Sequence, residues 1–367
     1  MTTKPQTIIH IGTPKTGTTS FQQWCFGNRR RLLADGVLYP VAPGKTNHVK
    51  LPAFAVTETF DDELFNRAKA KTQWEQAALR QSLPLAIKEE IDKSQPKFVI
   101  LSNEHLFTRL KSIDEINRLK VFVDSFSSVS RIVVHARPQI DFLVSNASQA
   151  VRMGQVVTTD FFLRDHIGPK HSLLGLSRQI AKWEAVWKRE NILVIPFKRT
   201  PDILDPIFEM VGLKRSSYPE SIRVNEALGW GTLAIANSLI RTGVDKSLES
   251  NFRVLLKSLP STDRLQPGME IAKEVQRRFD ADNCALIKRY ANRSCGDLSP
   301  DWKRYDLPPN IYKLEASLEL SEDIAAAFQF ALDLGKKSKL ESEVNRAEAI
   351  IIKREPRVGF LKRLLRF

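Results

Sequence analysis

The sequence predicts an α/β fold, a parallel sheet flanked by helices with a helical C-terminal portion. Three observations carry this. Four short apolar runs, at 7–12, 97–101, 131–135 and 191–195, read as buried strands. Stretches with helical spacing separate them. Beyond about residue 202 the strand signals stop and helical patterns take over. Strands that alternate with helices imply a parallel sheet covered on both faces.

The elements follow in order. Thr7-Ile8-Ile9-His10-Ile11-Gly12 is the first strand, ending in glycine. A helix is expected over 18–33, with Phe21, Trp24, Cys25 and Leu32 turned inward and Gly36 closing the segment. Pro40, Pro43, Gly44 and Pro52 mark a long polar loop that contains Asn47 and His48. A charged helix is expected over 62–93, then the second strand and Ser102-Asn103-Glu104-His105. Further helices are expected over 113–126, from Pro138 towards Arg152 with the proline first, and over 174–189. The C-terminal helices are expected over 202–211, 226–240, 263–290 and 318–334. The organisation expected is one α/β core over 1–240, a helical portion packed on it over 241–350, and a basic amphipathic tail over 351–367.

The chain has 367 residues, 42% of them hydrophobic, enough for one large domain with an extension. Its net charge of +14 favours anionic partners: nucleotides, acidic polysaccharides, nucleic acid or anionic membrane. Cys25, Cys284 and Cys295 make an odd count without a CxxC pair, so neither a disulfide scaffold nor a zinc site is expected, and a reducing compartment fits best. The residues before the first strand carry no signal-peptide apolar region. No stretch approaches ~18 consecutive apolar residues. The expectation is a cytoplasmic protein.

The first strand runs into Gly12-Thr13-Pro14-Lys15-Thr16-Gly17-Thr18-Thr19. A strand, a glycine-containing loop and a helix start together make an anion site, because backbone N–H groups converge there and the helix dipole adds positive charge. Lys15 supplies a mobile charge, and Thr16, Thr18, Thr19 and Ser20 add hydroxyl donors. The loop is P-loop-like, yet it departs from GxxxxGK[ST]. Gly12 and Gly17 keep the spacing, Thr18 stands where the lysine belongs, and the lysine has moved to position 15. No strand ends in a magnesium-binding aspartate, so the loop suits a phosphate without the metal apparatus of phosphoryl transfer.

The run from Thr13 to Ser20 resembles the 5′-phosphosulfate loop of sulfotransferases, which use 3′-phosphoadenosine 5′-phosphosulfate. The resemblance implies that Pro14, Lys15, Thr16, Gly17, Thr18, Thr19 and Ser20 hold the 5′ end of that cofactor. It also implies that Lys15 contacts the bridging oxygen and the sulfo group in flight, with no metal. In that family an arginine just after a strand and a serine eight residues later hold the 3′-phosphate, and Arg137 and Ser145 match that spacing. Arg137 offers a planar fork of donors; Asp141 lies at the turn between the two. Arg223-Val224-Asn225-Glu226, and the preceding Phe208-Glu209-Met210-Val211-Gly212-Leu213, loosely resemble segments of bacterial carbohydrate-type members. The resemblance covers 7–40 and 131–150, is vague over 190–240 and slight beyond 295.

Sulfo transfer to a hydroxyl or amine needs a base for the acceptor proton. The resemblance implies His or Glu. His48 is the first candidate, in a polar loop able to cross the mouth of the site, neutral near pH 7. Glu104 is the second, just past the second strand, where sites form in open α/β sheets. His10 reads as structural, His135 as close to the cofactor loop, and His166 and His171 as flanking a surface or lid loop. The resemblance implies a carbohydrate or glycolipid acceptor. A kinase with a degenerate P-loop and a non-catalytic binder of acidic glycans are the alternatives. No helix-turn-helix, zinc or aromatic RNA-binding signature points to nucleic acid. The tail over 353–367 carries six Lys and Arg against Glu355, interleaved with Phe and Leu, and suits peripheral contact with an anionic membrane.

Overall fold

The computed structural model describes residues 4–197, 202–221, 227–247, 251–259 and 263–334. The motif at 223–226 and the basic tail at 353–367 lie outside these. The described residues fall into two compact units. The first takes those of Met1–Arg137, Gly168–Asn225 and Phe279–Ser299. The second takes those of Pro138–Ile167, Glu226–Arg278 and Pro300–Phe367. The division interleaves along the chain, so 138–167, which the sequence placed inside the core, groups with the later helices.

In chain order, β1 is Gln6–Gly12, α1 Thr18–Gly27, α2 Arg29–Ala34, β2 Val37–Leu38, α3 Lys50–Ala55, α4 Glu63–Ala68, α5 Gln73–Ser94 and β3 Phe98–Ser102. Then come α6 His105–Arg109, α7 Ile113–Asp124, β4 Val129–Ala136, α8 Gln139–Arg152, α9 Thr159–Leu163, α10 Leu176–Trp187, β5 Ile192–Pro196 and α11 Asp205–Val211. The rest is helical: α12 Trp230–Arg241, α13 Val244–Ser247, α14 Phe252–Ser258, α15 Met269–Arg277, α16 Asp280–Tyr290, α17 Ile311–Leu318 and α18 Ser321–Leu334.

The first unit holds the expected sheet, with five strands instead of four, in the order β2-β3-β1-β4-β5 and parallel throughout. Residues alternate across it as a strand's period of two requires. Ile9, Ile11, Val99, Leu101, Ile132 and Val134 face a cluster fed by α3, α5, α7, α10 and α16. Ile8, Ile100 and Val133 face Phe21 and Trp24 of α1, Leu32 of α2, and Ile207 and Phe208 of α11. β1 lies at the centre, with β3 and β4 on either side, and this is the switch point where an open α/β sheet leaves a crevice at its strand C-termini.

Three expectations are corrected. The segment after Gly36 is not all loop: Val37 and Leu38 form the edge strand, and α3 runs through Pro52, which is tolerated in a helix's first turn. The long helices are split, the charged one into α4 and α5, where Lys69 adopts φ 55 and a Thr72–Glu75 capping box restarts the chain. The cysteines do pair. Cys284 on α16 and Cys295 in the turn that follows form a disulfide, and Cys25 is the buried free thiol. The odd count argued against a scaffold of bridges but left room for one, and the turn after α16 brings the two Cα atoms to 4.4 Å.

The second unit is helical. α12 is its hub, packing on α8, α17 and α18, while α15 packs on α8 and α9. Among the described residues no helix is long and apolar enough to cross a membrane.

Candidate active site

The loop after β1 leaves the sheet at a register shift between His10 and Gly12. Bulges of this kind re-aim a strand end. Gly12 takes φ +105, and a Cβ there would lie 3.2 Å from Cα and Cβ of Glu104, so glycine allows the Glu104 backbone to close against the loop. Thr13 is tied to the end of β4: its N–H and its hydroxyl both donate to the His135 carbonyl, each at 3.0 Å. Thr16 is fully buried and donates its hydroxyl back to the Thr13 carbonyl at 2.5 Å. That hydroxyl is consumed inside the loop, so Thr16 has its backbone N–H, not the expected side chain, to offer an anion. Lys15 turns the chain at φ 63.

Gly17 is the N-cap of α1, at φ 80. No side chain caps this helix, and its first turn holds no acidic residue. The first N–H groups of a helix have no intrahelical acceptor, so an uncapped start without acid suits an anion. Thr18 is buried, while Pro14, Lys15, Thr19 and Ser20 are half-buried around it.

Arg137 follows β4 and reaches this loop. Its NH1 donates to the Lys15 carbonyl at 2.6 Å, fixing the turn that carries the lysine. The guanidinium also lies over the Phe197 ring, 5.6 Å from its centroid. Phe197 was not singled out in the sequence. It hangs on Ala136 through its N–H, at 2.6 Å, and its ring comes within 3.7 Å of where a Gly17 Cβ would be. An aromatic directly after a strand-ending proline was the available signal. Ser145, expected to partner Arg137, is half-buried on α8 in the second unit. On that helix Asp141 is committed elsewhere, accepting from Tyr305 Oη at 2.6 Å and Arg304 at 3.2 Å.

The two base candidates separate clearly. His48 is not at a solvent-facing mouth: its side chain is fully buried. Its Nδ1 accepts the Ser102 N–H at 3.1 Å and its Nε2 donates to the Pro40 carbonyl at 3.0 Å, so no ring atom is left for a substrate proton. Burial pushes its pKa down to about 3, partly offset by the Pro40 bond. His48 is thus a strut joining the segment before α3 to the end of β3. The loop composition suggested exposure; the two backbone partners lie 8 and 54 residues away, the second beyond any local pattern.

Glu104 stands just past β3 as the N-cap of α6 and is half-buried. Its Oε2 accepts from Gln22 Nε2 at 3.0 Å, and its Oε1 has no partner among the described residues. Behind it, on the α1 face of the sheet, His10 Nδ1 lies 2.9 Å from Ser102 Oγ and His10 Nε2 lies 3.1 Å from His135 Nδ1. Burial, then the neighbouring His135, holds the His10 pKa far below the usual range, and burial pushes His135 to about 4. Both rings are neutral structural members at pH 7.

No family model and no curated protein matches this sequence. Among solved structures, the crystal structure of a sulfotransferase from Alicyclobacillus acidocaldarius is similar at 16% identity and a TM-score of 0.38, over 68% of this chain and 96% of that one. The similarity is distant. Among the described residues no group of three or more His, Cys, Asp or Glu is placed to hold a metal ion.

Proposed function

We propose that this protein is a sulfotransferase that takes a sulfo group from 3′-phosphoadenosine 5′-phosphosulfate and delivers it to a hydroxyl or amine of a carbohydrate or glycolipid acceptor. The observation that carries the reading is the start of α1: an uncapped helix N-terminus without acid, entered through Gly17 and with Lys15 on a turn braced by Arg137. These residues fit a 5′-phosphosulfate. Backbone donors and a cation converge, Gly17 removes the side chain that would block approach, and Glu104 supplies a carboxylate beside Gly12.

The cofactor supplies an electrophilic sulfur whose leaving group is a phosphate. Each role then falls to a residue of this chain. The N–H groups at the start of α1 bind phosphate oxygens. Lys15 neutralises the charge that grows on the bridging oxygen as its bond to sulfur breaks and the new acceptor–sulfur bond forms. Glu104 Oε1 takes the proton that the acceptor gives up, so the acceptor's electron pair enters the new bond. Arg137 serves the 3′-phosphate and holds the Lys15 turn. The resemblance also implicates Ser145. The acceptor class rests on that resemblance alone.

Titration calorimetry tests this. The 3′-phosphorylated product nucleotide, 3′-phosphoadenosine 5′-phosphate, is expected to bind at least tenfold tighter than ATP, a difference of about 1.4 kcal/mol. Arg137→Ala should abolish that preference, and Lys15→Ala should weaken binding of both nucleotides. Equal affinity for ATP rejects the reading.

A further inference from the structure

Glu104 caps a helix of five residues and is half-buried, so its own position does not select one side-chain rotamer. A neighbour does. Gln22, on the second turn of α1 and 2% exposed, donates from Nε2 to Glu104 Oε2 at 3.0 Å. The same nitrogen lies 3.3 Å from Ser102 Oγ and 3.5 Å from the Ser102 carbonyl oxygen. A carbonyl and an ionised carboxylate only accept, so the amide nitrogen and not its oxygen faces them. An NH₂ turned towards a carboxyl group ties down one of its two oxygens and leaves the other to face the site.

A buried row stands behind Gln22. One amide proton goes to Glu104 and the other to Ser102. The Ser102 hydroxyl can then donate to His10 Nδ1, and His10 Nε2–H to His135 Nδ1. His135 keeps its proton on Nε2, a buried atom without a partner among the described residues. Every member is at most 3% exposed. A side chain locked by such a row loses little further freedom when it orients a catalytic group. The titratable groups that feel the Glu104 charge are Tyr39, near the edge strand, and His105, next in sequence.

We infer that Gln22 is the positioning residue of the base: it holds Glu104 Oε2 and leaves Oε1 for the acceptor proton, while the Ser102–His10–His135 row holds Gln22. This rests on Glu104 acting as the base in the proposed transfer.

The test needs no knowledge of the acceptor. Glutamate carboxyl carbons labelled with ¹³C are observed by NMR in the cofactor-free protein, and the Glu104 signal is assigned by its loss in Glu104→Gln. Release of sulfate from 3′-phosphoadenosine 5′-phosphosulfate, with water as acceptor, is followed against pH. Gln22→Leu is expected to displace the Glu104 carboxyl resonance, the signature of a lost hydrogen bond to Oε2. It should lower kcat about 10- to 100-fold with KM for the donor unchanged, the split expected when a base loses its orientation but the donor site is intact. Gln22→Glu sets two carboxylates together in place of a donor and should lower kcat at least as far. Gln22→Met, of similar length, replaces the leucine variant if that melts early. A Glu104 resonance and a kcat both unmoved in a folded Gln22 variant overturn the positioning role while the base assignment stands. Wild-type turnover in Glu104→Gln overturns the base assignment itself, and the positioning role with it.

Discussion

Thr16 donates its hydroxyl to the Thr13 carbonyl, and Thr13 in turn hangs on His135, so the loop is stiffened from within before any ligand arrives. Thr16→Val keeps the shape of the side chain and deletes that bond. The expected loss is about 1–2 kcal/mol, read as a lower urea midpoint, together with weaker nucleotide binding by calorimetry. A variant with wild-type midpoint and wild-type affinity would remove the bracing role. The same residue shows where sequence reading stops. Hydroxyl donors in a phosphate loop were legible from residue type, but which hydroxyl is spent on the loop itself depends on a fold in the backbone. His48 fails to transfer for a related reason. Its setting in a polar loop rich in Pro and Gly suggested solvent, whereas the ring is buried between Pro40 and Ser102. The position of Glu104 was legible because it is topological, at the end of a strand next to the central one, and topology was what the apolar runs disclosed.

At the scale of elements, four strands were legible because each is an apolar run of five to eight residues, long enough for a pattern. β2 was not, because two residues carry no period. Nor was the meeting of His10, Ser102 and His135, since this needs the cross-strand register of β1 with β3 and β4. That meeting has a measurable consequence. Burial holds His10, His48 and His135 neutral in the folded chain, with pKa values of about 3 for His48 and about 4 for His135. Above the unfolded value near 6.5 both states are neutral and stability is unaffected. As pH falls below 6.5 the unfolded chain binds protons that the folded chain refuses, so stability declines until pH nears the folded values. The slope is about 1.4 kcal/mol per pH unit for each refused proton. Urea midpoints should therefore drop steadily from pH 6.5 to 4.5, and His48→Gln should make the drop shallower. A midpoint constant over that range contradicts the burial of these rings.

At the scale of the molecule, the α/β class and the helical C-terminal portion were legible from the alternation of patterns and its end near residue 202. The interleaving of two units was not. A helix such as α8 looks the same in sequence whichever unit it joins, and only the partners of its apolar face decide that. The Cys284–Cys295 pair was hidden in the same way, because its members are distant in pattern and close only after α16 turns. The net charge of +14 belongs to this scale too, for it draws anions of every kind.

The bare start of α1 then acquires a meaning beyond chemistry. A site that exists only in the folded chain couples ligand concentration to folding: occupancy raises stability by RT ln(1 + [L]/Kd), about 2.7 kcal/mol at one hundred times Kd. The melting temperature should climb with the logarithm of added 3′-phosphoadenosine 5′-phosphate, and the climb should be shallower in Lys15→Ala; parallel curves would detach the loop from this linkage. Under the proposed function, the fraction of chain that is folded, and so protected from proteolysis, would follow the nucleotide pool.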